Sequence, residues 1–267
     1  MPYRFTILGC GSSGGVPRIG GDWGKCDPNE PRNRRTRCSL LIERVGDHGT
    51  TTVLVDSCPD MREQFLRHDV AWLDGVLYTH DHADHTHGID DLRAIVFRRR
   101  EQLDVYFDEP TRAALEHRFY YVFHAPEGSP YPPILRPHTI RPGKPVQIDG
   151  AGGAIEAMPF AQLHGNIVSL GFRVGGLAYS SDISGLPDES LPLMDNTEIW
   201  VVDALRHAPA HPAHFTVEQA LDWIRRLDVP HGVLTHMHND LDYNELKREL
   251  PRGIEPAYDG MVIEMPD

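Results

Sequence analysis

The segment Tyr78-Thr-His80-Asp-His82-Ala-Asp84-His85-Thr-His87-Gly88 places four histidines and two aspartates in eleven residues, directly after the apolar run Gly75-Val-Leu-Tyr78. A cluster of titratable groups at the end of a strand is either a solvated loop or a ligand set. The spacing His80-x-His82-x-Asp84-His85 favours the ligand set. In an extended segment residues i and i+2 share a side, so His80 and His82 can hold one metal ion together. Asp84 and His85, beyond the turn, can reach a second ion. Imidazole with carboxylate suits zinc, manganese or iron rather than calcium. Four side chains do not complete two coordination spheres, so other stretches must supply the rest.

The same local pattern recurs. His164 follows Ile155–Gln162, Asp182 follows Leu177–Ser181, and His236 and His238 follow His231–Thr235. In each case an apolar, β-rich run ends in His or Asp. Further strands are expected at Tyr3–Leu8, Ser39–Val45, Thr52–Asp56, Gly75–Thr79, Val105–Phe107, Ser169–Val174, Glu198–Val202 and Met261–Glu264. Helical patterns fall between them at Asp60–Arg67, Gly88–Arg99, Pro110–Phe119, Thr216–Leu227 and Asp242–Leu250, the fourth being the most clearly amphipathic. Many strands with interspersed helices point to an α/β (α+β) chain with two sheets flanked by helices, one domain over 1–267. The Pro-rich stretch Phe123–Pro137 reads as a long loop, either a lid or an insertion.

Gly9-Cys-Gly11-Ser-Ser-Gly14 matches a dinucleotide fingerprint, but Gly15-Val-Pro17-Arg-Ile-Gly20-Gly21 cannot open the helix that fingerprint requires. A tight glycine-rich loop near the site is the better reading. The formal net charge of −13 argues against a broad nucleic-acid or anionic-membrane surface. One basic run, Arg32-Asn-Arg-Arg-Thr-Arg37, is either a solvated face or a holder of an anionic substrate, since guanidinium forks match phosphate. No apolar run reaches the length of a membrane span, and the start lacks a signal-like core, so a cytoplasmic location is expected. Cys10, Cys26, Cys38 and Cys58 form no C-x-x-C pair and are expected as free, buried thiols.

Taken together, His80, His82, Asp84, His85, His164, Asp182 and His236 resemble the ligand series of the metallo-β-lactamase superfamily. The opening Leu8-Gly-Cys-Gly-Ser-Ser-Gly-Gly-Val-Pro17, the arginine-rich stretch and Cys38-Ser39 resemble its phosphodiesterase branch containing PhnP, and more distantly the tRNA 3′-end-processing nucleases. That resemblance implies a four-layer αββα sandwich with two divalent transition-metal ions, zinc, manganese or iron, at one edge. One ion would take His80, His82 and His164. The other would take Asp84, His85 and a late histidine, His236 with His238 as the alternative. Asp182 would bridge them, with Asp81, Asp203 and Asp240 as substitutes, and Asp84 would also serve as a catalytic residue.

A proton donor is expected among His207, His211 and His214. His214 is chosen because the branch places its catalytic histidine just before a helix. Arg37 and Ser13 are candidate substrate contacts, and His87 belongs to a supporting shell or the surface. Relatives often carry a Cys-rich structural zinc site where this chain has only Cys26; that site is absent here or rebuilt with Asp22, Asp27 or a late histidine. The implied activity is a dinuclear metal-dependent hydrolase. The leading reading is a phosphodiesterase acting on a small nucleotide-like or cyclic phosphate ester, attacked by a hydroxide held between the ions. A tRNA-processing nuclease, a thioester or lactone hydrolase and a non-catalytic metal-binding protein are the alternatives. The partner is a small phosphate ester, with no membrane and with a homodimer left open.

Overall fold

The computed structural model describes residues 2–125 and 127–266. Two seven-stranded sheets stack face to face. The first holds β1 (Tyr3–Gly9), β2 (Ser39–Gly46), β3 (Gly49–Val55), β4 (Gly75–Leu77), β5 (Leu103–Phe107) and β6 (Leu135–Thr139). The second holds β7 (Val146–Ile148), β8 (Ile155–His164), β9 (Ile167–Val174), β10 (Leu177–Ser180), β11 (Ile199–Asp203), β12 (His231–Thr235) and β13 (Ile254–Pro256). The last strand, β14 (Met261–Met265), returns to the first sheet and pairs antiparallel with β1.

Period-2 patterning assigns the faces. Phe5, Ile7, Leu40, Ile42, Val53 and Val55 point between the sheets and pack with Phe160, Phe172, Tyr179 and Val201. Their neighbours Leu8, Leu41 and Leu54 point outward. There they are covered by α1 (Met61–Arg67), α3 (Arg93–Arg99), α4 (Glu109–Arg118) and α5 (Tyr120–Phe123), through Met61, Phe65, Ile95, Leu115 and Val122. On the far side of the second sheet, α6 (Val217–Arg226) contributes Val217, Ala220 and Ile224, and α7 (Tyr243–Glu249) contributes Leu246. The layers are therefore helix, sheet, sheet, helix. A short α2 (Ala83–Thr86) lies inside the His/Asp motif.

Strand direction gathers the polar ends. β3, β4 and β5 are parallel, as are β10, β11 and β12. β8 and β10 both run antiparallel to β9, so they share a direction. Asp56, His80, His164, Asp182, Asp203 and His236 thus all follow or end strands at their C-terminal ends. Leu170 N–H donates to Thr79 O across 2.8 Å and ties the second sheet to the loop after β4.

The structure departs from the sequence expectations in specific places. Three strands were not expected: β6, β7 and β13. All three stand at or next to a sheet end, and Pro137 and Pro256 sit in two of them, where a missing ladder donor is tolerated. β6 takes the end of the stretch expected as a loop, which leaves a shorter connection; Pro126 within it lies outside the described residues. β4 stops at Leu77, and Tyr78 and Thr79 bond instead to Tyr106 O and Asp56. The helix expected over Gly88–Arg99 is a 3-10 turn, Ile89–Leu92, followed by α3. The four cysteines are free and buried. Among the described residues no helix is long and apolar enough to cross a membrane.

Candidate metal centre

Each ligand side chain is aimed by a neighbour. Asp56, at the exit of β3, is fully buried and accepts three hydrogen bonds: Thr79 N–H and Thr79 Oγ1–H, both 2.8 Å, and His85 Nδ1–H, 2.7 Å. Thr79 Oγ1 then accepts from His80 Nδ1 at 2.9 Å. One buried carboxylate therefore sets two imidazole rings and leaves Nε2 of each facing inward. His164 Nδ1–H donates to Ala213 O at 2.7 Å, with the same consequence. The backbone holds the motif in register: Gly88 N–H donates to Ser57 O, and a Cβ at Gly88 would lie 2.1 Å from Cys58 O. Only glycine allows that approach.

The inward-facing atoms converge on Asp182. His85 Nε2 is 2.9 Å from Asp182 Oδ1; His236, His164 and His80 Nε2 lie 3.5, 3.7 and 4.0 Å from Oδ2. Three overlapping groups result, His80–His82–His164–Asp182, Asp84–His85–Asp182–His236 and Asp203–His214–His236, in each of which the ligand atoms lie within 4.8 Å of one another. Asp182 is common to the first two, and His236 to the second and third. His82 is exposed and Asp84 half-buried, so the cluster opens to solvent on their side.

These side chains fit a divalent metal. Nε2 of His80, His85 and His236 and Oδ1 of Asp182 are buried without a hydrogen-bond partner. A buried polar atom left unpaired is costly, and four of them pointing at common centres are what metal coordination satisfies. The charges agree. Burial holds His80 well below the usual histidine range and lowers His164 to about 4, so both are bare nitrogen donors. Asp182 and Asp84 stay ionised: burial would raise them, but the histidines around them, His236 and His85 for Asp182, His85 and His236 for Asp84, outweigh it. Burial opposes charge on His85 too, yet Asp182, Asp84 and Asp56 raise it well above the usual range, so the carboxylates draw a cation into their midst.

The remaining candidates separate. His214 stands against the cluster: its Nδ1–H donates to Asp203 Oδ2 at 2.7 Å and its ring stacks on His236, centroids 4.6 Å apart. Burial favours the uncharged form of both partners, lowering His214 and raising Asp203. His211 packs behind His214, and His207 faces Glu218 at the surface. His238 does not join the ligands. His236 adopts a left-handed φ of 56° after β12, which breaks the strand alternation, and His238 turns to Arg18 and Asp240. Asp81 is drawn to Arg118 at 2.6 Å, and His87 packs on Phe119 at the surface. Arg37 pairs through Nε with Asp60 at 2.8 Å and is partly exposed.

Ser13 is exposed on the glycine-rich turn, which opens no helix; Ser12 N–H bonds Met237 O beside the cluster. Cys26 directs its thiol to Asn239 O and Leu241 O, and among the described residues neither it nor Asp22 or Asp27 falls in a metal-holding group. Strand patterning marks Asp56 only as a strand end, and Asp203 enters only as a substitute bridge; the structure gives both a supporting role. The signal for both is present: Val-Leu-Val-Asp56 and Trp-Val-Val-Asp203 repeat the apolar-run-then-acid pattern.

A sequence profile of the Beta-lactamase superfamily domain matches residues 51–237, which span β3 through the exit of β12 and contain all seven ligand candidates. The chain belongs to that superfamily. Within the superfamily it is 35% identical to a diphosphatase of the PhnP family, whose crystal structure superposes with a TM-score of 0.87 over 99% of this chain and 98% of that one. Human tRNase Z, short form, shares the fold at 18% identity, with a TM-score of 0.62 over 99% of this chain and all of that one. A curated protein named octanoyltransferase, from Porphyromonas gingivalis, is 34% identical over 97% of this chain; the chain spans about half, 51%, of its length.

Proposed function

We propose that this superfamily hydrolase is a dinuclear phosphodiesterase that cleaves small, nucleotide-like or cyclic phosphate esters. The observation that carries the reading is the sharing of Asp182 by two ligand groups in which Nε2 of His80, His85 and His236 is buried without a hydrogen-bond partner. His80, His82 and His164 would hold one ion and Asp84, His85 and His236 the other, with Asp182 between them. Zinc or manganese suits this donor set, and iron is the third choice. When bound, such ions lower the pKa of water towards about 7 and offset charge on phosphoryl oxygens.

The chain's own residues do the rest. Asp56 and Thr79 keep the rings of His85 and His80 from rotating. Asp203 fixes His214 through Nδ1, which leaves Nε2 to exchange a proton with a bound molecule. Hydrolysis then delivers the oxygen of water to phosphorus and a proton, through His214, to the leaving oxygen. The exposed His82 marks the side from which a substrate enters.

The PhnP-family diphosphatase favours a second reading on the same machinery, in which the leaving group is itself a phosphate. Metal analysis coupled to a hydrolysis panel tests both: bis-p-nitrophenyl phosphate, cyclic nucleotides, a dinucleoside diphosphate, precursor tRNA, a lactone and an octanoyl thioester, the last because of the name of the half-matched relative. Turnover confined to the small phosphorus compounds, with precursor tRNA left uncut, supports the proposal. Turnover of the thioester or lactone alone, or none with metal bound, overturns it.

A further inference from the structure

Three segments meet beside His214. The glycine-rich turn after β1 bonds the strand-exit segment through Ser12 N–H to Met237 O. The stretch after β11 bonds the same segment through His238 N–H to Leu205 O, 3.0 Å, and bonds the start of α6 through Val217 N–H to Arg206 O. Each of the first two segments brings an arginine. Arg18 Nη2 contacts His238 Nε2, and Arg206, the residue after Leu205, donates Nε–H to Pro209 O at 2.9 Å. His238 Nδ1 lies 2.9 Å from Asp240 Oδ2, the one carboxylate in contact with this group among the described residues.

Neither arginine has an ion-pair partner among the described residues, whereas Arg37, Arg99, Arg112, Arg118 and Arg136 are all paired. In a chain of net charge −13, two guanidiniums without an ion-pair partner among the described residues, one against His238 and one on the stretch bonded to the start of α6, form a local excess of positive charge. Guanidinium forks match phosphate oxygens, and hydrogen bonds between ionised partners are the stronger kind.

Resting on the phosphoester reading above, we infer that Arg18 and Arg206 form a second anion subsite that holds a non-reacting phosphate on the leaving-group side. The preferred substrate then carries one phosphate beyond the phosphorus that is cleaved, as a diphosphate or a phosphorylated diester does. Bulk on the turn does not obstruct it: a Cβ added at Gly20 or Gly21 would meet no atom within 4 Å, and Ile19 at the tip is fully exposed.

The test compares the metal-loaded wild type with Arg18→Gln, Arg206→Gln and Arg206→Lys, each checked for an unchanged melting transition. Two readouts are taken. The first is the ratio of kcat/KM for a dinucleoside diphosphate to that for bis-p-nitrophenyl phosphate. The second is calorimetric affinity for a methylene-bridged analogue of the diphosphate. Each Gln variant should lower the ratio by about 10- to 100-fold, mainly through KM, and weaken the analogue by a similar factor; Lys should recover part of both. A ratio and an affinity that stay within about threefold of wild type overturn the subsite. If the wild type hydrolyses neither compound yet the Gln variants weaken the analogue, the subsite stands and the phosphoester reading fails. If bis-p-nitrophenyl phosphate is hydrolysed while the variants change neither readout, the reading stands and the subsite fails.

Discussion

His214 Nδ1 and Asp203 Oδ2 stand 2.7 Å apart, and the same carboxylate reaches towards His236 Nδ1, 3.6 Å from its other oxygen. One buried acid thus faces both a metal-ligand candidate and the proton-donor candidate. His214→Ala should leave metal content intact and reduce turnover of an alkyl phosphodiester by about 10²–10⁴-fold. The loss should shrink for bis-p-nitrophenyl phosphate, whose leaving group needs no proton. Equal losses on both substrates would contradict the role. If His211→Ala or His207→Ala shows the leaving-group dependence instead, the donor is that residue.

Asp56 orients His85 directly and His80 through Thr79. Asp56→Asn presents an amide where three donors converge, so at least one of those bonds is lost. Zinc affinity, measured by competition with a chromogenic chelator, should fall about 10- to 100-fold. An affinity equal to wild type would mean that the two rings need no such support.

Much of this arrangement was legible in the sequence, because ligands at strand ends leave a local mark: an apolar run, then His or Asp. The two supporting acids carry the same mark, but nothing in one dimension separates an acid that binds a metal from one that binds the ligand's other nitrogen. Strand position favoured His236 over His238, but the backbone feature that separates them was hidden. That feature is the left-handed backbone of His236, which strand periodicity cannot foresee. The pairing of Arg37 with Asp60 joins residues far apart in sequence, and no local pattern marks it. The unforeseen strands β6 and β13 contain prolines, and only their places at the sheet ends make that composition acceptable.

Asp259 is buried and accepts from Thr36 N–H and Oγ1–H and from Cys10 N–H; burial raises it to about 6. The folded chain therefore retains a proton that the unfolded chain releases near pH 4. Between about pH 4 and 6 this group makes stability fall as pH rises, by on the order of 2–3 kcal/mol in total. Asp259→Asn should cost a roughly constant amount and remove that slope. Urea unfolding of both chains across this range gives the difference; parallel curves would refute the assignment.

Thr216 and Gln219 form a capping box at the start of α6, two residues after His214. Thr216→Ala should lower stability by about 1 kcal/mol, seen as a lower urea midpoint at unchanged slope. No change in midpoint would mean that the helix is held by its buried face alone.

The central claim is that Asp182 joins two metal positions into one hydrolytic centre, and a zinc titration of the metal-free chain followed by bis-p-nitrophenyl phosphate hydrolysis tests it most directly. Wild type should reach full activity at two equivalents. Asp182→Ala should retain close to one and lose nearly all turnover even in excess zinc, because less negative charge is left between two dications that would stand about 3.5–4 Å apart. Full wild-type activity at one equivalent, or an Asp182→Ala chain that keeps two ions and substantial turnover, would contradict the account.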